Sequence, residues 1–207
     1  TVTVTPINDA PVFDTIATQS VPEDSMFTYT LSASDVDGDT LTYIGSSSIG
    51  GSISVDGSIL SFIPSLNYNG DASLDIIVSD GQLTDTGSFI VTVSPINDAP
   101  VLLSLDNANI AEDNTLIYNL FATDIDGDAL TYVASSDNGS ISVEGTELTF
   151  IPSLNYNGNS SISVTVSDGQ LTDTGSFIVT IAPVNDAPVT EDGFVETDED
   201  TSVDVTL

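Results

Sequence analysis

Acidic side chains recur at three fixed places in this chain, and their types and spacing suit metal binding. One is a Glu-Asp pair, Glu23-Asp24, which returns as Glu112-Asp113 and Glu199-Asp200. The second is an Asp-x-Asp-Gly-Asp run, at Asp35 to Asp39 and again at Asp124 to Asp128. The third is an Asn-Asp step, Asn8-Asp9, Asn97-Asp98 and Asn185-Asp186, accompanied by the lone Asp80 or Asp168 that precedes a glycine. Carboxylates crowded into loops repel one another unless a hard cation sits among them, and calcium accepts six to eight oxygens from carboxylates, amides and backbone carbonyls. Magnesium demands a stricter octahedron and keeps its waters. Zinc prefers nitrogen and sulfur, and the chain has neither His nor Cys. Calcium is the best fit. The run is not an EF-hand loop, which needs Gly at position six and Glu at twelve: counted from Asp35, Gly38 is at position four and Ser46 at twelve. The ligand set has to be completed from elsewhere in the fold.

The chain has 32 Asp and Glu but no Lys, Arg or His, for a formal charge of −32, so no carboxylate can meet a side-chain cation. Nucleic acid is excluded as a partner, because its binding rests on Lys and Arg releasing counterions from phosphate. Disorder is a poor reading, since 40% of the residues are apolar and they alternate regularly. Without Cys there is no disulfide framework, which leaves metal ions as the staple for an extracellular domain. No run of eighteen apolar residues occurs and the first residues lack signal-peptide character. Neither membrane spanning nor membrane insertion is expected.

The positioning elements repeat. PINDAPV at Pro6 to Val12 returns at Pro95 to Val101 and, as PVNDAPV, at Pro183 to Val189. FIPSLNYNG occurs from Phe62 and from Phe150, and VSDGQLTDTGSFIVT from Val78 and from Val166. Two full units are therefore read at residues 8–96 and 97–184. Residues 1–7 read as the terminal strand of a preceding repeat, and 185–207 as the beginning of a third, incomplete one. Within a unit the apolar residues alternate with period two: Phe27, Tyr29 and Leu31; Leu74, Ile76 and Val78; Phe89, Val91 and Val93. Shorter bursts centre on Leu41 and Tyr43, Ile53 and Val55, and Leu60 and Phe62. With a short strand after Val12 this makes about seven strands, the count of a Greek-key sandwich. The fold class is all-β, with the sandwiches expected end to end. Asp80-Gly81 and Asp168-Gly169 suit tight turns before the last strand.

Other motifs suggest chemistry that the pattern does not support. Asp85-Thr86-Gly87 and Asp173-Thr174-Gly175 reproduce the Asp-Thr-Gly triplet of aspartic proteases. That mechanism needs two carboxylates sharing a proton, whereas these are copies on separate repeats, and turn chemistry accounts for them. Serine and cysteine triads are impossible without His or Cys. Nothing singles out a glycosidase carboxylate pair. Asn138-Gly-Ser140 and Asn159-Ser-Ser161 match a short glycosylation sequon common in Asn/Ser-rich loops. The chain reads as a non-enzyme.

The motifs together resemble those of the cadherins. ASDVDGDTLTY and ATDIDGDALTY are similar to the cadherin Ala-x-Asp-x-Asp run that precedes a strand ending in Leu-Thr-Tyr. VPEDS resembles the Pro-Glu-Asn motif, VSDG the late Asp of each domain, and INDAPVF the Asn-Ala-Pro linker. More narrowly, the chain looks like the cadherin-like tandem repeats of large bacterial surface and adhesin proteins.

The resemblance implies calcium between successive domains. For the middle junction it implies ligands Glu23, Asn97, Asp98, Asp124, Asp126 and Asp168. The first junction would have Asn8, Asp9, Asp35, Asp37 and Asp80, and the third Glu112, Asn185 and Asp186, so only the middle set is complete. Two departures stand out. The cadherin Asp-Arg-Glu motif aligns with Asn67-Tyr68-Asn69, and the linker is shorter and begins with Pro6 or Pro95. One or two ions per junction are expected, with Tyr68 and Tyr156 as packing residues.

The function implied is a calcium-rigidified spacer of a long extracellular cell-surface protein. Its partners would be calcium and the neighbouring repeats. The alternatives are a homophilic or polysaccharide-binding adhesion module, or a subunit of a polymerising surface filament.

Overall fold

The computed structural model describes residues 2–187 together with Glu196 and Glu199. The remainder of the third repeat read from the sequence lies outside the described residues. The chain divides into two compact units. Among the described residues, one comprises those up to Ala99 together with Asp124–Asp128, and the other comprises Pro100–Thr123 and those from Ala129 to Ala187. The second Asp-x-Asp-Gly-Asp run thus belongs to the first unit.

Strands of the first unit are β1 (Val12–Phe13), β2 (Gln19–Pro22), β3 (Phe27–Thr30), β4 (Ala33–Ser34), β5 (Thr42–Ser47), β6 (Gly51–Asp56), β7 (Ile59–Pro64), β8 (Gly70–Ser79) and β9 (Thr84–Ser94). They form a four-stranded sheet in the order β2-β9-β8-β5, a three-stranded sheet β3-β7-β6, and a two-stranded ribbon β1-β4. All pairings are antiparallel except β2 with β9. The second unit repeats the plan. Its β11 (Ala108–Ala111) pairs parallel with β18 (Thr172–Ala182), which pairs with β17 (Gly158–Ser167), and β17 pairs with β14 (Thr131–Ser136). Its ribbon joins β10 (Val101–Leu102) to β13 (Ala122–Thr123). The three-stranded sheet there is β12 (Leu116–Asn119), β16 (Glu147–Pro152) and β15 (Gly139–Glu144).

Period-two alternation explains why two faces close on one core. In β7, Leu60 and Phe62 are fully buried while Ile59 and Ile63 are exposed. Leu74, Ile76 and Val78 of β8 and Phe89, Val91 and Val93 of β9 supply the opposite wall. Register fixes these contacts, with Leu74 opposite Phe89 and Ala72 opposite Val91. A one-residue slip would turn the whole set outward. Phe150, Leu148, Ile162, Val164, Phe177 and Val179 repeat the arrangement in the second unit. Tyr68 packs on the first core and donates its hydroxyl to the Asp71 carbonyl at 2.9 Å. Tyr156 does the same to Asn159 at 2.7 Å.

The seven expected strands all form, with two additions. β2 carries one buried apolar residue, Val21, and ends in Pro22, so period two has nothing to register. It exists because β9 offers it a parallel edge. β4 is a two-residue bridge to β1. The Asp80-Gly81 turn is present: the Asp80 amide donates to Leu83 O, and Gly81 has φ +98°, which only glycine adopts readily.

Both Asp-Thr-Gly triplets hold the first strand of their unit. Asp85 Oδ2 accepts the Phe13 amide at 2.8 Å, and Asp173 Oδ2 accepts the Leu102 amide at 2.8 Å. Gly87 leaves room for the Phe13 ring, which a Cβ there would overlap. At Gly175 a Cβ would lie 3.1 Å from Leu102 and 3.2 Å from Leu105, close contacts with the ends of flexible side chains that a few tenths of an ångström of movement relieves. Gly87→Ala should therefore cost the first unit about 1–3 kcal/mol by overpacking, and Gly175→Ala clearly less, as read by urea unfolding of the two variants. The amides of Phe13 and then Thr86 hold the Asp85 carboxyl below the usual carboxylate range. A lowered folded pKa adds stability above the unfolded value and loses it as pH falls through the folded one. Asp85→Asn should thus lower Tm at neutral pH, and the gap should narrow only as pH falls below about 4 and on through the lowered folded value, where the parent carboxyl also becomes neutral.

Candidate metal centre

Glu23 is where the geometry begins. Its amide extends the β2 ladder by donating to Ser94 O at 2.9 Å, which points the side chain inward at the end of the four-stranded sheet. Oε1 accepts the Ile96 amide at 2.6 Å and so grips the chain as it leaves β9. The residue is 1% exposed, and Oε2 is buried with no hydrogen-bond partner. Glu112 repeats the clasp in the second unit: 6% exposed, Oε1 on the Val184 amide at 2.6 Å, Oε2 without a partner.

The Asp-x-Asp-Gly-Asp runs fold as carboxylate-capped turns. Asp124 Oδ1 accepts the amides of Asp126, Gly127 and Asp128 at 3.0, 3.0 and 3.2 Å. Asp35 does the same for Asp37, Gly38 and Asp39. Gly38 and Gly127 have φ near +80°, which explains the glycine in each run. In both turns the second oxygen, Oδ2 of Asp35 or Asp124, is buried and unpartnered. The following acid ties the loop to the linker, with Asp37 Oδ2 accepting the Asp9 amide and Asp126 Oδ2 the Asp98 amide, each at 2.8 Å.

These contacts bring some of the nominated residues together. In the first unit Glu23, Asp98 and Asp126 each offer a carboxylate oxygen within 4.8 Å of the others. Asp35, Asp37 and Asp39 form a second such group, and Asp124, Asp126 and Asp128 a third. Asn8 lies at the Asp80 turn, its Nδ2 donating to Asp80 Oδ2 at 2.8 Å. Asp80 Oδ1 accepts the amides of Leu83 and Gln82, and these bonds with that of Asn8 hold its carboxyl below the usual range. Asp168 occupies the matching turn of the second unit, accepting the amides of Gln170 and Leu171. Asn185 donates to the Asp186 carbonyl at 3.5 Å, beside the Glu112 clasp.

Sequence reasoning did not nominate Asp39 and Asp128. The Gly between the acids curls each run so that the third carboxylate meets the first two, a signal the Asp-x-Asp-Gly-Asp spacing already carried. Nor did it nominate Asp24, whose Oδ1 accepts the Asn67 amide at 3.1 Å and whose charge bears on Asp98.

An all-oxygen donor set with orphaned buried oxygens fits a hard cation. Among the described residues, five buried side-chain oxygens lack a partner: those of Glu23, Asp35, Asp98, Glu112 and Asp124. An unpaired buried carboxylate oxygen is costly, and a cation removes the cost. With protein charges alone, burial and then Asp126, Asp24, Glu23 and Asp124 push the Asp98 carboxyl above the usual range.

Comparison with known proteins sets these residues in a family. Residues 8–92 and 97–180 match the model described as Bacterial Ig domain. The chain belongs to that family. Chitinase A of Pseudoalteromonas piscicida is 28% identical over 180 residues, covering 84% of this chain and 22% of that protein. The chain thus spans about a fifth of the curated relative's length. Among solved structures, human protocadherin-24 EC1-2 aligns with TM-score 0.60 and 18% identity, over 84% of this chain and all of that one. Drosophila N-cadherin EC1-4 aligns with TM-score 0.59 and 17% identity, over 86% of this chain and 50% of that one. The bacterial Ig repeats therefore share the cadherin fold. No helix among the described residues is long and apolar enough to cross a membrane.

In chelator, the raised Asp98 carboxyl lets the folded state hold a proton that the unfolded chain releases, so its own contribution to stability should fall as pH rises above about 4. Asp98→Asn removes that charge. Its Tm in chelator should exceed the parent's at neutral pH and match it below about pH 4. A variant no more stable than the parent at any pH would show that Asp98 meets no repulsion.

Proposed function

We propose that these bacterial Ig repeats are calcium-binding, calcium-stiffened spacer modules of a long extracellular surface protein, and that the chain does no catalysis. The observation that carries this reading is the set of five orphaned buried carboxylate oxygens, all on residues nominated from the acidic motifs. Glu23, Asp98 and Asp126 would hold one ion in the first unit, with Asp124 and Asp128 alongside. Asp35, Asp37 and Asp39 would offer a second site. Glu112 with Asp186 would contribute to a third. Calcium supplies positive charge to a chain that has none in its side chains, turning the mutual repulsion of these acids into shared coordination. At calcium about one hundred times its dissociation constant, the folded state gains roughly 2.7 kcal/mol, a sizeable part of a domain's net stability. The non-catalytic reading is supported by Asp85 and Asp173, whose carboxylates are occupied with strand amides in separate units.

A specific observation favours the adhesive reading as the alternative. Val101, Leu103 and Phe121 are exposed in the second unit, and Leu103 and Phe121 replace Asp14 and Ser32 of the first repeat. Such a patch suits a polysaccharide or a like chain better than a pure spacer needs.

Calcium titration of Tm distinguishes a metal-stiffened module from a merely acidic one. Asp126→Ala and Asp124→Ala should raise the calcium needed for half-maximal stabilisation about tenfold. Asp56→Ala, at the exposed end of β6, should leave it at the parent's value. If chelation leaves the parent's Tm unchanged, the calcium reading is wrong.

A further inference from the structure

We propose that Asn69 is a deamidation site whose acidic product strengthens cation binding by the carboxylates beside it. The inference rests on reading the Glu23–Asp98–Asp126 group as a cation site, and adds a chemical modification that tunes it. Asn69, Pro95, Asn97, Ile125, Asp126 and Asp128 line one groove of about 410 Å³ in the first unit. Asp126 belongs both to this groove and to the three-carboxylate group. That group contains Glu23, 1% exposed, with an unpartnered oxygen. Two wall residues, Asn69 and Asn97, are neutral and one hydrolysis step from a carboxylate, and of these Asn69 is the one followed by glycine.

The local chemistry favours that step. Asn69 is exposed and precedes Gly70, whose missing Cβ leaves the amide nitrogen open to the neighbouring carboxamide. Gly70 sits at φ +126°, a conformation closed to most side chains, so the Asn-Gly pair is built into the turn before β8. The Gly70 nitrogen attacks the Asn69 carboxamide carbon. The bond to the amide nitrogen breaks, and ammonia leaves carrying the proton lost by Gly70. Water then opens the cyclic imide at either carbonyl, leaving an aspartyl or isoaspartyl side chain at position 69. The net change is one water consumed and one ammonia released. A third carboxylate at the groove, beside Asp126 and Asp128, raises the local charge count, the property that tunes calcium affinity in oxygen-ligand sites.

Of two other Asn-Gly pairs, the second provides a control. Asn157-Gly158 occupies the same turn of the second unit, with Gly158 at φ +131°. Asn138-Gly139 lies in the β14–β15 turn, where the Asn138 side chain bonds to Asp137.

The test ages purified protein in mildly alkaline buffer, maps the amide-to-acid mass gain on peptides cut at acidic residues, and measures calcium binding by calorimetry. Acid should accumulate at position 69, and aged protein and Asn69→Asp should both bind calcium roughly tenfold more tightly than fresh parent. Asn138→Asp, in the β14–β15 turn, should leave that affinity unchanged, and aged Asn69→Gln should gain nothing. If position 69 stays an amide, or Asn69→Asp binds like the parent, the proposal is overturned while the cation site stands. If neither parent nor Asn69→Asp binds calcium, the site reading and the proposal fall together.

Discussion

A polypeptide with 32 carboxylates and no side-chain cation has two internal ways to accommodate an acid: leave it in water, or aim backbone amides at it. Much of the loop structure is the second solution. Asp35 and Asp124 each collect three amides, Asp80 and Asp168 cap their hairpins, Asp85 and Asp173 hold the first strand, and Glu23 and Glu112 clasp the departing chain. Each of these bonds satisfies one oxygen. At Glu23, Asp35, Asp98, Glu112 and Asp124 an oxygen remains that is buried and unanswered. The amides have set the positions of these groups without neutralising them, which leaves their charge to something outside the chain.

The sandwich makes this arrangement possible. The parallel pairing of β2 with β9 brings Glu23 to the end of the sheet at the point where the linker leaves, and β11 with β18 does the same for Glu112. Close-packed cores of Phe62 and Phe150 with their neighbours hold the loops on rigid strands. The two repeats are close copies in these features and differ on their surfaces, where the first has Asp14 and Ser32 and the second Leu103 and Phe121. A repeated scaffold with varied exterior is what a family of modular domains permits.

Much of this was legible in the residues, for identifiable reasons. Strands with one buried face write their period into the sequence, so β3 and β5 to β9 could be read directly. β2 and β4 could not, because one has a single buried apolar residue and the other is a two-residue bridge. Acidic motifs could be read as sites because several like charges crowded into one loop repel one another unless a cation sits among them. Asp39 and Asp128 were seen in the motif but left out of the ligand set, because their part depends on how the glycine curls the run. The inclusion of Asp124–Asp128 with the first unit had no local signal at all, since it comes from a contact between Asp98 and Asp126 that only the folded chain brings about. The Asp-Thr-Gly triplets show the opposite case, a familiar motif whose carboxylates are already committed to strand amides.

The central claim is that the orphaned oxygens are waiting for calcium, and the most direct measurement is a crystal structure of the chain grown in saturating calcium, with anomalous scattering used to locate the metal. The account predicts a peak bound by Glu23 Oε2, Asp98 Oδ2 and Asp126 at about 2.3–2.6 Å. The same oxygens bonded only to water or to one another, with no metal peak at saturating calcium, would contradict it.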